Sequence, residues 1–103
     1  MLVFLTGGHG FLGKHLLQQL LHAGYRVLAP SRKELELRDR QAVRTFFQKY
    51  HPEACIHAAA VGGGIGWMQQ HPETAFLGNL LPTAYLLEAA ADFRCFLVGV
   101  FPS

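Results

Sequence analysis

One stretch of eight residues near the start of the chain constrains its fold more than any other feature. It reads Thr6-Gly7-Gly8-His9-Gly10-Phe11-Leu12-Gly13, and it lies between an apolar run that predicts a short buried strand and an amphipathic run that predicts a helix. At such a turn, Gly7 permits the tight bend and Gly10 lets the backbone approach a pyrophosphate, while Gly13 lets the helix pack closely against the strand. The N–H groups at the helix start attract phosphate, so the stretch predicts a nucleotide-binding turn.

The rest of the chain continues the alternation of strand and helix. Further strands are predicted at about 25–29, 54–60 and 94–99, and further helices at about 40–50 and 72–91. This alternation predicts a Rossmann-type parallel α/β sheet of about four strands with helices on both faces, in the order 3-2-1-4. That order would hold Cys55 and Cys95 too far apart for a disulfide. Pro82 should bend the last helix without dividing it.

The composition predicts one small globular domain. Half of the 103 residues are apolar and 16% are charged, which is enough to bury a core. The net charge of +2 is spread along the chain, which argues against a nucleic-acid partner. The six histidines do not have metal-ligand spacing. We expect no membrane span and no secretory signal, and therefore a cytoplasmic protein with reduced core thiols.

A competing motif overlaps the glycine stretch. Residues 8–14 fit the first seven positions of the kinase-type phosphate loop, G-x-x-x-x-G-K. The eighth position should be Ser or Thr to bind magnesium, and here it is His15. The dinucleotide interpretation is therefore favoured.

The end of the second predicted strand indicates which dinucleotide binds. An acid about 20 residues after the glycines would accept a hydrogen bond from the 2′-hydroxyl of NAD. This chain has Ala29-Pro30-Ser31-Arg32-Lys33 and no acid before Glu34. Arg32 can fork onto a 2′-phosphate, with Ser31 donating a further hydrogen bond. We therefore predict NADP, with NAD as the less favoured cofactor and a solvated loop as the other interpretation of these charges.

Together these residues resemble the extended short-chain dehydrogenase/reductases of the NAD-dependent epimerase/dehydratase family, and within it the GDP-L-fucose synthase branch. The resemblance implies an NADP-dependent epimerase/reductase that acts on GDP-4-keto-6-deoxymannose, a nucleotide sugar, as a homodimer. It is carried by the glycine stretch, by Pro30-Ser31-Arg32-x-Glu34-Leu35-x-Leu37-x-Asp39, by Ala58-Ala59-Ala60-Val61-Gly62-Gly63, by Ile65-Gly66 and His71-Pro72, and by Asn79-Leu80-Leu81 with Leu87-Glu88-Ala89-Ala90.

The resemblance also implies a set of cofactor-binding residues, some with a second interpretation. His9 either faces the pyrophosphate or is only exposed, and Asp39 either contacts the adenine edge or only caps a helix. Trp67 and Met68 either form the floor of the nicotinamide or sugar pocket or pack under their loop. His57 is expected to be a hydrogen-bonded core histidine. The cofactor-binding set is Gly7, Gly8, His9, Gly10, Phe11, Leu12, Gly13, Ser31, Arg32, Asp39, Ala58, Ala59 and Ala60.

The resemblance covers only the N-terminal part of such a reductase. The family's Tyr-x-x-x-Lys pair is missing, because alanine stands four residues after Tyr25, Tyr50 and Tyr85, and the position of the catalytic hydroxyl falls on Val100. Residues 1–103 are thus expected to form an NAD(P)-binding half-domain that lacks catalytic residues and the substrate part. The alternatives are an NAD-dependent nucleotide-sugar 4-epimerase or dehydratase and a non-catalytic nucleotide-binding or interaction module. The last strand would be an exposed apolar edge that invites self-association.

Overall fold

The computed structural model describes residues 1–58 and 72–99, and within these ranges it contains every predicted strand and helix. The boundaries differ from the predicted ones by a few residues at most. The elements are β1 (Leu2–Thr6), α1 (Phe11–His22), β2 (Arg26–Leu28), α2 (Arg40–Tyr50), β3 (Ala54–His57), α3 (Pro72–Asp92) and β4 (Phe96–Gly99).

The four strands form one parallel sheet in the order β2-β1-β3-β4. The parallel Rossmann-type sheet is confirmed, but the predicted order 3-2-1-4 is wrong. β2 has only three residues and begins with the exposed Arg26, so it suits an edge, whereas β3 buries Cys55 and His57 and takes the inner place beside β1. The chain therefore leaves β1 in one direction and returns on its other side. This makes a topological switch point between β1 and β3, where open α/β sheets bind ligands.

One face of the sheet carries the hydrophobic core. α2 and α3 pack on this face, and the ring of Phe4 lies 4.4 Å from Phe46 and 5.6 Å from Phe47, between ring centroids. Helix α3 is continuous through Pro82, as predicted. The fully buried side chains that join the two helices to β1 and β3 are Phe4, Val43, Phe47, Cys55 and Leu86.

Ion pairs on the surface join the two helices of this face. Arg40 makes two hydrogen bonds to the carboxylate of Glu88, at 2.7 and 3.1 Å. Arg44 lies 3.3 Å from the same carboxylate and 2.8 Å from Asp92. The pKa of Glu88 is lowered, above all by its hydrogen bonds from Arg40.

The opposite face is only partly covered. α1 packs against β1 and β2, and its Leu21 is 54% exposed. β4 is an edge strand in the described part of the chain, and Phe96 and Val98 are 71% and 40% exposed. The predicted apolar edge is therefore confirmed. None of the described helices is long and apolar enough to cross a membrane.

The two cysteines are free and buried, but not for the predicted reason. Cys55 lies in β3, and Cys95 directly precedes the neighbouring strand β4. Both side chains belong to one core cluster. Burial raises the pKa of both thiols, that of Cys95 to about 11.

A candidate dinucleotide-binding cleft

A cleft of about 670 Å³ opens at the carboxyl end of β1, next to the switch point. It brings together three segments that are distant in the sequence: the glycine turn, the chain after β2, and the middle of α3. Its walls are Phe4, Thr6, Gly7, His9, Gly10, Phe11, Leu12, Gly13, Pro30, Ser31, Arg32, Leu35, Glu36, Leu37, Arg38, Ala58, Gly78 and Pro82.

The glycine turn has the backbone geometry that the sequence predicts. Gly7 has a φ of +70°, in the left-handed region, and its carbonyl accepts a hydrogen bond from the N–H of Gly10 at 3.0 Å. A Cβ on Gly13 would lie 1.7 Å from the oxygen of Gly7. The predicted close approach is therefore real, but the helix approaches the glycine turn itself rather than the strand.

The start of α1 is open towards the cleft. Its N-cap is Gly10, no side chain caps the helix, and its first turn contains no acid. A Cβ on Gly10 would meet only the oxygen of Gly7, at 3.4 Å, so the position faces space that a ligand can fill. The uncapped amides and the positive end of the helix dipole fit a pyrophosphate.

Gly8 and His9, which lie between Gly7 and Gly10, both lie close to Ala29 directly after β2. Gly8 is buried with its Cα side against Ala29, where a Cβ would come within 2.9 Å of the alanine methyl, and it does not line the cleft. His9 lines the cleft, and its Nε2 lies 3.2 Å from the carbonyl oxygen of Ala29. His9 thus reaches towards the end of β2.

The turn after β2 is closed by a reciprocal pair of hydrogen bonds. The N–H of Ser31 donates to Oε1 of Glu34 at 2.9 Å, and the N–H of Glu34 donates to the Ser31 hydroxyl oxygen at 3.4 Å. This is the geometry of a capping box. The bond from the Ser31 amide is the main reason that the pKa of Glu34 is lowered. This pair was not predicted from the sequence, although its Ser-x-x-Glu spacing is a known signal.

The capping box presents Arg32 at the rim of the cleft beside Ser31. Arg32 is exposed, and in the part of the chain that the structure describes it makes no ion pair. Arg38, the other cation of the cleft, is held by Glu36 at 3.0 Å. Arg32 is therefore the cation best placed to bind an incoming anionic group.

The carboxyl ends of β1 and β3 are tied together by a buried polar group. Oγ1 of Thr6 lies 2.6 Å from Nδ1 of His57 and accepts from the N–H of Ala58 at 3.1 Å. The expected core role of His57 is confirmed, because it is 5% exposed and hydrogen-bonded. Desolvation lowers its pKa.

The remaining predicted site residues fall into two groups. Asp39 accepts from the N–H of Ala42 at 3.1 Å as the N-cap of α2, and it lines a separate shallow groove rather than the cleft, which supports its capping role. Ala58 lines the cleft. The positions outside the described residues are Ala59, Ala60, Trp67, Met68 and Val100. Within the described ranges, no three His, Cys, Asp or Glu residues are grouped as metal ligands would be.

Known proteins are similar to this chain in sequence and in structure. The chain is 34% identical over 92 residues to GDP-L-colitose synthase of Yersinia pseudotuberculosis, a match that covers 89% of this chain and 30% of that protein. It is 35% identical over 63 residues to GDP-L-fucose synthase of Azorhizobium caulinodans, covering 61% of this chain and 20% of that protein. The structure of Thermus thermophilus UDP-glucose 4-epimerase in complex with NAD is similar, with a TM-score of 0.82 and 29% identity, covering 91% of this chain and 35% of that one.

The chain thus spans about a third or less of the length of these relatives. Their names describe nucleotide-sugar synthases and epimerases, and one of them holds a nicotinamide cofactor. Residues 3–101 match the NAD dependent epimerase/dehydratase family, and the chain belongs to that family.

Proposed function

We propose that this chain is the NADP-binding portion of a nucleotide-sugar epimerase/reductase of the GDP-L-fucose synthase type. The observation that carries the proposal is the position of Arg32, presented at the cleft by the Ser31–Glu34 capping box and without an ion pair within the described residues. A guanidinium binds a phosphate through two parallel N–H bonds, which a 2′-phosphate accepts and a 2′-hydroxyl does not. The 2′-phosphate distinguishes NADP from NAD.

Each wall of the cleft has a defined part in holding the cofactor. The uncapped amides of α1 would bind the pyrophosphate, and the open side of Gly10 would leave room for it. The Ser31 hydroxyl accepts from Glu34 and keeps its own proton free to donate to the 2′-phosphate. When bound, the nicotinamide supplies hydride transfer. The residues of this chain bind and orient the cofactor.

The substrate side of the proposal rests on the relatives. Two of them are named as synthases of GDP-sugars, which favours a GDP-linked 4-keto sugar that is epimerised at C3 and C5 and reduced at C4. The chain contains no Tyr-x-x-x-Lys pair. We therefore assign it the cofactor half of the reaction and expect it to bind NADP without turnover.

The proposal is tested by titrating the purified chain with NADPH and with NADH and following nicotinamide fluorescence. We expect NADPH to bind at least about tenfold more tightly, because one charge-assisted contact to the 2′-phosphate is present in only one ligand. The preference should shrink in high salt. Equal affinities would favour the NAD-dependent 4-epimerase or dehydratase alternative. Failure of both to bind would favour a module without a nucleotide role.

A further inference from the structure

The middle of α3 contains an acceptor that the helix does not use in the regular way. Pro82 has no N–H, so the carbonyl of Gly78, four residues earlier, lacks its regular helical donor. A proline ring inside a helix also crowds the carbonyl four residues earlier, which here is that of Gly78. In the same turn the Thr83 hydroxyl donates to the carbonyl of Asn79 at 2.8 Å.

Gly78 and Pro82 are both buried in the protein, and both line the cleft. Glycine has no side chain, so Gly78 can contribute only main-chain atoms to the wall. A regular helix carbonyl points along the axis towards the residue four positions later, which here is Pro82. Because Gly78 and Pro82 both border the cleft, the carbonyl that the proline leaves without its helical donor lies beside the cleft.

The apolar part of the cleft suits a flat ring. Leu35, Leu37 and Ala58 line it together with the Pro82 ring. Leu35 and Leu37 follow the turn that carries Arg32. The ring that fits beside them is therefore the one attached to the ribose whose 2′-phosphate Arg32 is proposed to bind. In a dinucleotide of the NADP type that ring is adenine.

We propose that the carbonyl of Gly78 accepts a hydrogen bond from the exocyclic amino group of adenine, and that Pro82 frees this carbonyl to do so. The inference rests on the proposed function, because it assumes that the cleft holds NADP. Pro82 is a positioning residue in this account, since it acts through Gly78. The device recognises the base by its N–H donor, independently of the phosphate contacts.

The test compares NADPH with its hypoxanthine analogue, in which a carbonyl oxygen replaces the exocyclic amine and the nicotinamide is unchanged. The dissociation constants of both are measured for the wild-type chain, for Pro82→Ala and for the control Thr83→Ala, which keeps the proline. We expect the wild type and Thr83→Ala to prefer NADPH about five- to tenfold, the effect of one buried hydrogen bond. In Pro82→Ala the alanine N–H can bond the Gly78 carbonyl, so the preference should disappear while the melting temperature rises.

The outcomes separate this inference from the proposed function. If the wild type binds NADPH but does not discriminate against the analogue, or if Pro82→Ala keeps the full discrimination, the role of Gly78 is wrong and NADP binding still stands. If the wild type does not bind NADPH, both are wrong. The comparison of the two ligands on the wild type does not depend on the folding of any variant.

Discussion

The hydroxyl of Thr6 lies 2.6 Å from Nδ1 of His57, and both side chains are buried. The same hydroxyl oxygen accepts from the N–H of Ala58. Thr6 is the last residue of β1 and His57 the last of β3, so this bond joins the two strand ends between which the switch point opens.

The pH dependence of stability should report the burial of His57. Burial lowers the pKa of His57 below its ordinary 6.5, so the unfolded chain binds a proton that the folded chain resists. Stability is therefore fully present above about pH 6.5 and declines as the pH falls below that value. In His57→Asn, whose side-chain amide can still hydrogen-bond to Thr6, thermal unfolding should lose this dependence between about pH 7.5 and 5.5. The control His22→Gln changes an exposed histidine and should keep the pH dependence. If His57→Asn keeps the same pH dependence as the wild type, His57 is not its source.

Two glycines of the turn should separate folding from binding. Gly13→Ala places a Cβ against backbone atoms that cannot yield, and we expect it to cost about 3 kcal/mol of unfolding free energy. Gly10→Ala has only the oxygen of Gly7 within reach, so it should fold normally yet fill the pyrophosphate space. Chemical denaturation and NADPH titration measure the two effects. If Gly10→Ala binds NADPH with the wild-type affinity, the phosphates do not lie beside Gly10.

The capping box should stabilise the turn that carries Arg32. The depressed pKa of Glu34 means that its contribution is present above about pH 4.5 and is lost as the pH falls through the folded value. Glu34→Gln weakens the bond to the Ser31 amide, so NADPH affinity should fall about two- to threefold with little change for NADH. Glu36→Gln, which releases Arg38 instead, should not lower NADPH affinity. A loss of equal size in both variants would point to general charge effects.

The exposed edge should determine self-association. β4 contains no charge, and Phe96 and Val98 are exposed on it. We expect concentration-dependent association in sedimentation experiments, and a lysine in Val98→Lys should reduce it because edge charges oppose strand pairing. Leu87→Lys changes an exposed leucine of α3 away from the edge and is the matched comparison. If only Leu87→Lys dissociates the oligomer, the chains associate through α3 and not through β4.

The sequence predicts the strands and helices well because their signals are local. The Asp39 cap, the end of the second helix at about residue 50 and the glycine turn each depend on neighbouring residues, and the structure confirms them. The strand order depends on which strands are more completely buried. The short, exposed β2 lies at an edge of the sheet, so the order differs from the predicted one. The positions of Gly78 and Pro82 in the cleft could not be predicted, because α3 is apolar on most sides and its rotation is set by packing. The Ser-x-x-Glu spacing of the capping box is visible in the sequence. It was not predicted to form a capping box because it lies within a polar segment.

The central claim is that Arg32 makes this cleft selective for NADP. The most direct test is the ratio of the NADH and NADPH dissociation constants in the wild type, in Arg32→Gln and in Lys33→Gln, whose adjacent cation does not line the cleft. We predict that Arg32→Gln weakens NADPH binding about tenfold, leaves NADH binding nearly unchanged, and so removes most of the preference. Lys33→Gln should behave as the wild type does. A wild-type ratio in Arg32→Gln, or an equal loss in Lys33→Gln, would contradict the claim.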